Sequence, residues 1–284
     1  LGDVYKRQGT ENAILAAVTA SGTTELRNAA TEPHVRDLCN FLEVLGARIK
    51  GIGTNTLLIE GVETLSGGTF RLGSDHIEVG SVIGLSVATR STLGISDVSR
   101  RDFDPLRVGF QRLGVQFQWD GDQLLVLGDA ELEIQPDVGD QIPKIDDGPW
   151  PAFPADLTSI ALLAATLCCG TILIHEKMFE SRMYFVDKVV AMGGRVVLCD
   201  PHRAVVVGPS TLRGSRLESP DIRAGMALVI AALAAKGKSQ IHNIRQIDRG
   251  YERIHERLIK LGADIDRVSE GCLLYTSPRP RDRG

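Results

Sequence analysis

The stretch Trp150-Pro151-Ala152-Phe153-Pro154-Ala155-Asp156, with the apolar run 157–169 behind it, decides how the rest of the chain reads. Prolines cannot continue a helix backward, so Asp156 is a natural helix start. The segment 159–165 has no polar face, the pattern of a helix buried on all sides. It is shorter than the roughly 20 apolar residues that a bilayer span requires. A carboxylate therefore stands at the positive end of a core helix, where its ionised form is favoured. Taken alone, an ordinary N-cap accounts for it equally well.

The same architecture returns elsewhere as internal repetition. A Leu/Met-Gly element recurs at Leu45-Gly46, Leu113-Gly114, Met192-Gly193 and Leu261-Gly262. Each carries the glycine signal of a helix C-terminus and leads into a short strand. In three copies a second strand follows and ends at Gly61, Gly128 and Gly208. Upstream, apolar helices are expected over residues 13–20, 79–88, 157–169 and 224–235, each followed by a β-branched strand. The unit reads helix, strand, helix, strand, strand, with the fourth copy cut by the C-terminal tail. The first helix of each unit is apolar all round and the second amphipathic, as in residues 251–260. This places one helix inside and one at the surface of an α/β fold, with sheet as cover.

The 284 residues suffice for one large domain or two ordinary ones. With 43% hydrophobic and 24% charged residues the chain reads as soluble and globular. A net charge of −4 leaves no nucleic-acid footprint. Cys39, Cys168, Cys169, Cys199 and Cys272 form no CxxC pattern, and three lie in or beside apolar runs. They read as reduced thiols of a cytoplasmic protein. No signal peptide or transmembrane segment is legible. Residues 1–8 and 271–284 continue no neighbouring pattern and read as non-native tails, which makes the chain an internal fragment of a longer protein. The texture changes near Gly67-Gly68, and we set a boundary at about Ser74. Residues 9–74 are then the last repeat unit of a truncated N-terminal domain, and 75–270 a C-terminal domain of three units. One unit cannot build a core alone, a second reason to expect missing sequence upstream.

Superposing the repeats puts Asp156, Arg223 and His76 at equivalent starts of inner helices, the same distance ahead of Gly170, Gly237 and Arg90. In a threefold domain these starts converge on one face. Arg223 is informative, because a cation in a helix's first turn opposes the dipole by a few tenths to about 1 kcal/mol. A local pair with Asp221 and an anionic ligand on that helix end explain it equally well. The loops before the outer helices carry Phe179-Glu180-Ser181-Arg182 and Ile247-Asp248-Arg249-Gly250-Tyr251-Glu252-Arg253. Arg182 and Arg249 stand in near-equivalent places there. Three arginines and one carboxylate on one repeat face fit a substrate bearing phosphate or carboxylate. No P-loop or dinucleotide fingerprint is present, since Gly51-Ile52-Gly53 lacks the remaining glycine. The six histidines form no metal-ligand pattern, and Cys168-Cys169 read as packing residues. No metal or cofactor is expected.

Gly9-Thr10-Glu11-Asn12-Ala13, Glu32-Pro33, Ile59-Glu60-Gly61-Val62, Pro151-Ala152-Phe153-Pro154-Ala155-Asp156, Glu180-Ser181-Arg182, Asp221-Ile222-Arg223-Ala224 and Asp248-Arg249-Gly250-Tyr251-Glu252-Arg253 resemble the enolpyruvyl transferase family. The likeness is to its UDP-N-acetylglucosamine 1-carboxyvinyltransferase branch and covers about residues 9–270. It implies an inside-out α/β barrel in which repeated βαβαββ-type units surround buried helices. Two domains with the active site in the cleft between them are implied, the first one truncated here. The implied reaction moves enolpyruvate from phosphoenolpyruvate to the 3-hydroxyl of UDP-N-acetylglucosamine, the first committed step of peptidoglycan synthesis. Asp156 would be the general base. Arg223 and Arg249 would hold the phosphoenolpyruvate carboxylate and phosphate, and Arg182 would help close the site. Asp221 belongs to the same substrate-binding set. Met178, through its backbone, and Gly9-Thr10 would line the nucleotide-sugar pocket. The family's first two units are absent, and with them a lysine-asparagine pair and a mobile loop with a reactive cysteine, which none of the five cysteines matches. We therefore expect a monomer without turnover by itself and an active full-length parent. The competing readings are a 3-phosphoshikimate 1-carboxyvinyltransferase and a catalytically silent paralogue that binds nucleotide sugar.

Overall fold

Residues 6–179, 182–268 and 273–276 are described by a computed structural model. The chain forms two compact units. The first takes residues up to His76 with Ser99–Asp102 and Pro149–Ala152; the second takes Ile77–Val98, Phe103–Gly148 and the chain from Phe153 onward.

In the first unit, α1 (Arg7–Ala17), β1 (Thr23–Arg27), α2 (Pro33–Val44), β2 (Arg48–Lys50) and β3 (Thr56–Glu60) follow in that order. The sheet is antiparallel in the order β1-β3-β2. Alternation along β3 turns Leu57 and Ile59 inward, against Ile14 of α1 and Val35, Cys39 and Leu42 of α2. Helix α1 begins earlier than the expected 13–20, because the backbone closes from Thr10 N–H back to Lys6. Gly9 and Thr10 therefore lie in its first turns. Arg7 and Gln8, read above as tail, are helical too.

In the second unit the same order recurs three times. The first copy is α3 (His76–Thr89), β4 (Thr92–Ile95), α4 (Arg100–Gln111), β5 (Gln116–Asp120) and β6 (Gln123–Leu127). Next come β7 (Lys144–Asp146), α5 (Thr158–Ala165), β8 (Gly170–His175), α6 (Val186–Ala191), β9 (Val196–Asp200) and β10 (Arg203–Gly208). The last copy has β11 (Arg216–Glu218), α7 (Ile222–Ala234), β12 (Ser239–His242), α8 (Arg245–Asp248), α9 (Ile254–Lys260), β13 (Ile265–Val268) and β14 (Leu273–Thr276). The sheets run β4-β6-β5, β7-β8-β10-β9 and β11-β12-β14-β13. Two features depart from the expected unit. Strands β7 and β11 add parallel edges to β8 and β12. In the fourth copy Leu273–Thr276, read above as tail, lies between β12 and β13 and pairs antiparallel with both, because those strands leave a ladder's worth of backbone groups to be bonded. The other residues of the C-terminal tail fall outside the described residues.

The inner helices are buried because they have no polar face to expose. All eight residues of α5 are buried, as are Ala224 to Ala232 of α7. Close approach is built in by small residues: a Cβ on Gly84 of α3 would collide with Ile160 of α5, and one on Gly80 with Leu157. Filling such a contact typically costs 1–3 kcal/mol. The outer helices show one apolar stripe, with Phe103, Leu106 and Phe110 buried on α4 and Ile254 and Leu258 on α9.

The recurrent glycines have two physical reasons. Gly46, Gly114, Gly193 and Gly262 have φ between 83° and 105°, the left-handed helix exit that L-residues resist. Gly61, Gly128 and Gly208 instead leave no room for a Cβ, which would strike the backbone carbonyls of Ala20, Ser86 and Cys168 at the ends of inner helices. The repeat alignment also holds at Arg90, Gly170 and Gly237, which all have positive φ.

Candidate functional site

The site is built from the entrances to α5 and α7. Ahead of α5 a short 3-10 turn, Ala155–Leu157, carries Asp156. The helix proper is Thr158–Ala165, shorter than the expected 157–169, and no side chain caps it. Asp156 is thus released from capping. Its side chain is 6% exposed, and each oxygen meets a guanidinium: Oδ1 accepts from Arg182 Nη2 at 3.1 Å, and Oδ2 lies 3.3 Å from Arg223 Nη2. An ionised carboxylate this deeply placed requires such partners.

The entrance to α7 works differently. Asp221 is a true N-cap, accepting from the N–H groups of Arg223 (2.7 Å) and Ala224 (2.9 Å). The local pair that could have explained Arg223 is therefore a backbone one, and its guanidinium goes to Asp156 instead. Arg182 Nη1 stands 3.9 Å from Asp221, which ties the two entrances together. Two aromatic rings steer the cations: Arg182 lies over Phe179 (5.1 Å) and Arg223 over Tyr251 (5.7 Å). Tyr251, 1% exposed, also receives the Arg223 Nη1 hydrogen bond at 3.4 Å and shares one with Ser81 on α3 (2.8 Å). Directly behind Asp156, the hydroxyls of Thr158 and Ser159 are buried and unbonded among the described residues.

The Asp248–Arg253 motif divides its labour. Asp248 holds Arg267 through two bonds (3.0 and 2.8 Å), and Gly250 clears Ile222. Arg249 follows α8 rather than leading straight into α9. It is exposed and donates to Gln246 at 3.2 Å, so the structure does not bring it into the Asp156 cluster. Glu180 and Ser181 fall outside the described residues.

Met178 donates its N–H to Asp147 Oδ2 at 3.3 Å, and Lys177 N–H donates to the other oxygen. Asp147 itself is 2% exposed, and burial raises its pKa. Neighbouring Glu176 is fully buried; burial first, and then Asp147, push its pKa up to about 8. Sequence reasoning passed over both acids. The available signal was a charged residue closing a strand of alternating burial, β8.

In the first unit, Thr10 is fully buried and its hydroxyl accepts from Ala30 N–H at 2.9 Å, while Gly9 is half-buried. His76 starts α3 as the repeats require, but its ring does not join the arginines. It stacks on His34 (6.1 Å) and meets Trp150 edge-on (5.1 Å). Burial drives its pKa down to about 4, so the ring is neutral near pH 7. Among the described residues no group of three or more His, Cys, Asp or Glu is placed to hold a metal ion, and no helix is long and apolar enough to cross a membrane.

Comparison with known proteins follows the same lines. The chain is 59% identical over 261 residues to UDP-N-acetylglucosamine 1-carboxyvinyltransferase of Bradyrhizobium diazoefficiens, covering 92% of this chain and 61% of that protein. The protein of that name from Treponema denticola is 56% identical over 257 residues, covering 90% and 60%. The one from Bacteroides thetaiotaomicron is 49% identical over 263, covering 92% and 61%. The chain thus spans about three fifths of the length of the curated relatives it matches. Among solved structures, the enolpyruvyl transferase NikO from Streptomyces tendae superposes with a TM-score of 0.81 at 26% identity, over 95% of this chain and 60% of that one. The fold is therefore the α/β fold of enolpyruvyl transferases. A family model described as EPSP synthase (3-phosphoshikimate 1-carboxyvinyltransferase) matches residues 2–258. The repeated units, their buried helices and this match together make the chain a member of the EPSP synthase family.

Proposed function

We propose that the gene product containing this chain transfers enolpyruvate from phosphoenolpyruvate to the 3-hydroxyl of UDP-N-acetylglucosamine, the first committed step of peptidoglycan synthesis. The observation that carries the reading is the buried Asp156 carboxylate held between Arg182 and Arg223 at 3.1 and 3.3 Å. Two guanidinium groups keep the acid ionised, the form a general base needs. Phosphoenolpyruvate brings carboxylate and phosphate oxygens that match the same planar donors. When the arginines turn to that anion, Asp156 is left to take the hydroxyl proton. Arg223 and Arg249 hold the anion; no ion pair occupies Arg249 among the described residues, so it can turn without breaking one. Arg182 closes over the substrate, and Asp221 fixes the helix entrance from which Arg223 reaches out. Gly9, Thr10 and the Met178 backbone belong to the nucleotide-sugar side. On that side the Thr10 hydroxyl accepts from Ala30 N–H and is fully buried.

The family model's description names a different acceptor, 3-phosphoshikimate. The relatives at 49–59% identity carry the nucleotide-sugar name, and they support our choice. The free thiols Cys39, Cys168, Cys169 and Cys199 fit a reducing, cytoplasmic setting, and we take the protein to act as a monomer. The test is phosphate release by the gene product containing this chain. Phosphoenolpyruvate with UDP-N-acetylglucosamine should release phosphate, and phosphoenolpyruvate with shikimate 3-phosphate should not. The reverse result would assign the second acceptor, and release with neither would sink the transferase reading.

A further inference from the structure

Glu176 follows β8 directly, and its N–H donates to the carbonyl of His202 in the β9–β10 turn (2.8 Å). Its side chain is 0% exposed, and neither carboxylate oxygen has a hydrogen-bond partner among the described residues. Groups from four directions act on it: Asp147 beyond β7, Asp156 at the entrance to α5, Asp221 at the entrance to α7, and Arg182. The Nδ1 of His202 is likewise buried and unbonded among the described residues. Three carboxylates and the Arg182 guanidinium thus act on Glu176; Arg182 already donates to Asp156 at 3.1 Å, and the second guanidinium there, Arg223, lies 3.3 Å from Asp156. A fourth carboxylate ionised here would be a buried charge without a partner, which is strongly disfavoured.

We infer that Glu176 is a positioning residue of the Asp156 site: a buried carboxylic acid held neutral, whose neutrality leaves Arg182 to Asp156 and to the incoming anion. The inference rests on the reading of that site as an anion-binding one. Burial, reinforced by Asp147 and opposed by Arg182, brings the pKa to about 8. Below that pH the acid is uncharged and Arg182 has one buried carboxylate to serve. Above it Glu176 ionises, competes for Arg182 and repels a bound anion.

The first measurement involves no ligand. Glutamates of this chain are labelled with 13C at the side-chain carboxyl, and the Glu176 resonance is assigned through its own backbone and by its absence from Glu176→Gln. It should titrate near pH 8. Titration in the ordinary range of 4 to 5 overturns the inference, whatever the protein catalyses. The second measurement is phosphoenolpyruvate binding by the gene product containing this chain. From pH 7 to pH 9 the wild type should lose affinity by about tenfold, while Glu176→Gln, which mimics the neutral acid, should lose less than twofold. An equal alkaline loss in both proteins refutes the positioning role. No binding by either at any pH counts against the proposed function, and the carboxyl titration then decides this inference alone.

Discussion

The entrances to α5 and α7 occupy equivalent places in two copies of one repeat and use their acids in opposite ways. At α7, Asp221 satisfies two backbone N–H groups, and the Arg223 side chain reaches across to Asp156. At α5, the 3-10 turn leaves the helix without a side-chain cap, and Asp156 spends its oxygens on two arginines. The repeat decides where a helix entrance stands, and the neighbours decide whether an acid there serves the helix or the site. A third entrance, at α3, carries His76, which serves neither and lies between His34 and Trp150.

This contrast can be broken by mutation. Its largest expected consequence is catalytic. Asp156→Asn keeps the shape and removes the base, so phosphate release by the gene product containing this chain should fall by about 10²- to 10⁴-fold. Any shift of the melting transition should then come from the two arginines left without their shared carboxylate, not from a lost helix cap. A large loss of stability with normal turnover would mean that the two entrances had been assigned the wrong way round.

The next effect is on the pH dependence of stability. Glu176 has a folded-state pKa raised from 4.5 to about 8. Between those values the folded state keeps a proton that the unfolded chain releases, so the acid's contribution to stability is lost as pH rises through the window. The slope is at most about 1.4 kcal/mol per pH unit. Subtracting the denaturation profile of Glu176→Gln from that of the wild type should isolate it, and parallel profiles would contradict the buried neutral acid.

Asp221→Ala should then cost about 1 kcal/mol, the usual value of a lost N-cap. That corresponds to a melting temperature lower by about 2–4 °C. The corresponding change at Asp156 should lack this cap-type loss, and comparing the two by calorimetry sharpens the contrast most directly. Of similar size, Tyr251→Phe removes the hydroxyl shared by Ser81 and Arg223 and should cost about 0.5–1.5 kcal/mol. Phosphoenolpyruvate affinity should weaken a few-fold as Arg223 loosens; an unchanged affinity would show that the Tyr251 hydroxyl does not hold this arginine in place.

Much of the architecture was legible. The inner helices were found because a segment without a polar face has only the interior to go to. The helix exits were found because a left-handed turn after an apolar helix selects glycine. Helix limits were less legible: nothing local distinguishes the 3-10 turn at Ala155–Leu157 from a first α-helical turn. Strands β7 and β11 were invisible, since three residues show no alternation and parallel edges need a distant partner. Within the site, the oddity of Arg223 was plain from its place in a first turn, but its partner was not. Asp147 and Glu176 gave almost no sign, because the burial of one carboxylate is a property of what folds over it.

By itself, then, the sequence determined the repeat, the inside and outside of each helix, and the positions at which charged residues meet helix ends. These depend on periodicity and backbone conformation, which are local. Only the tertiary structure decided that Asp156 faces two arginines, that Asp221 remains a cap, and that Glu176 is sealed among other acids. Those outcomes depend on distances of a few ångströms between segments far apart in the chain, and both Coulomb energy and desolvation change steeply over such distances.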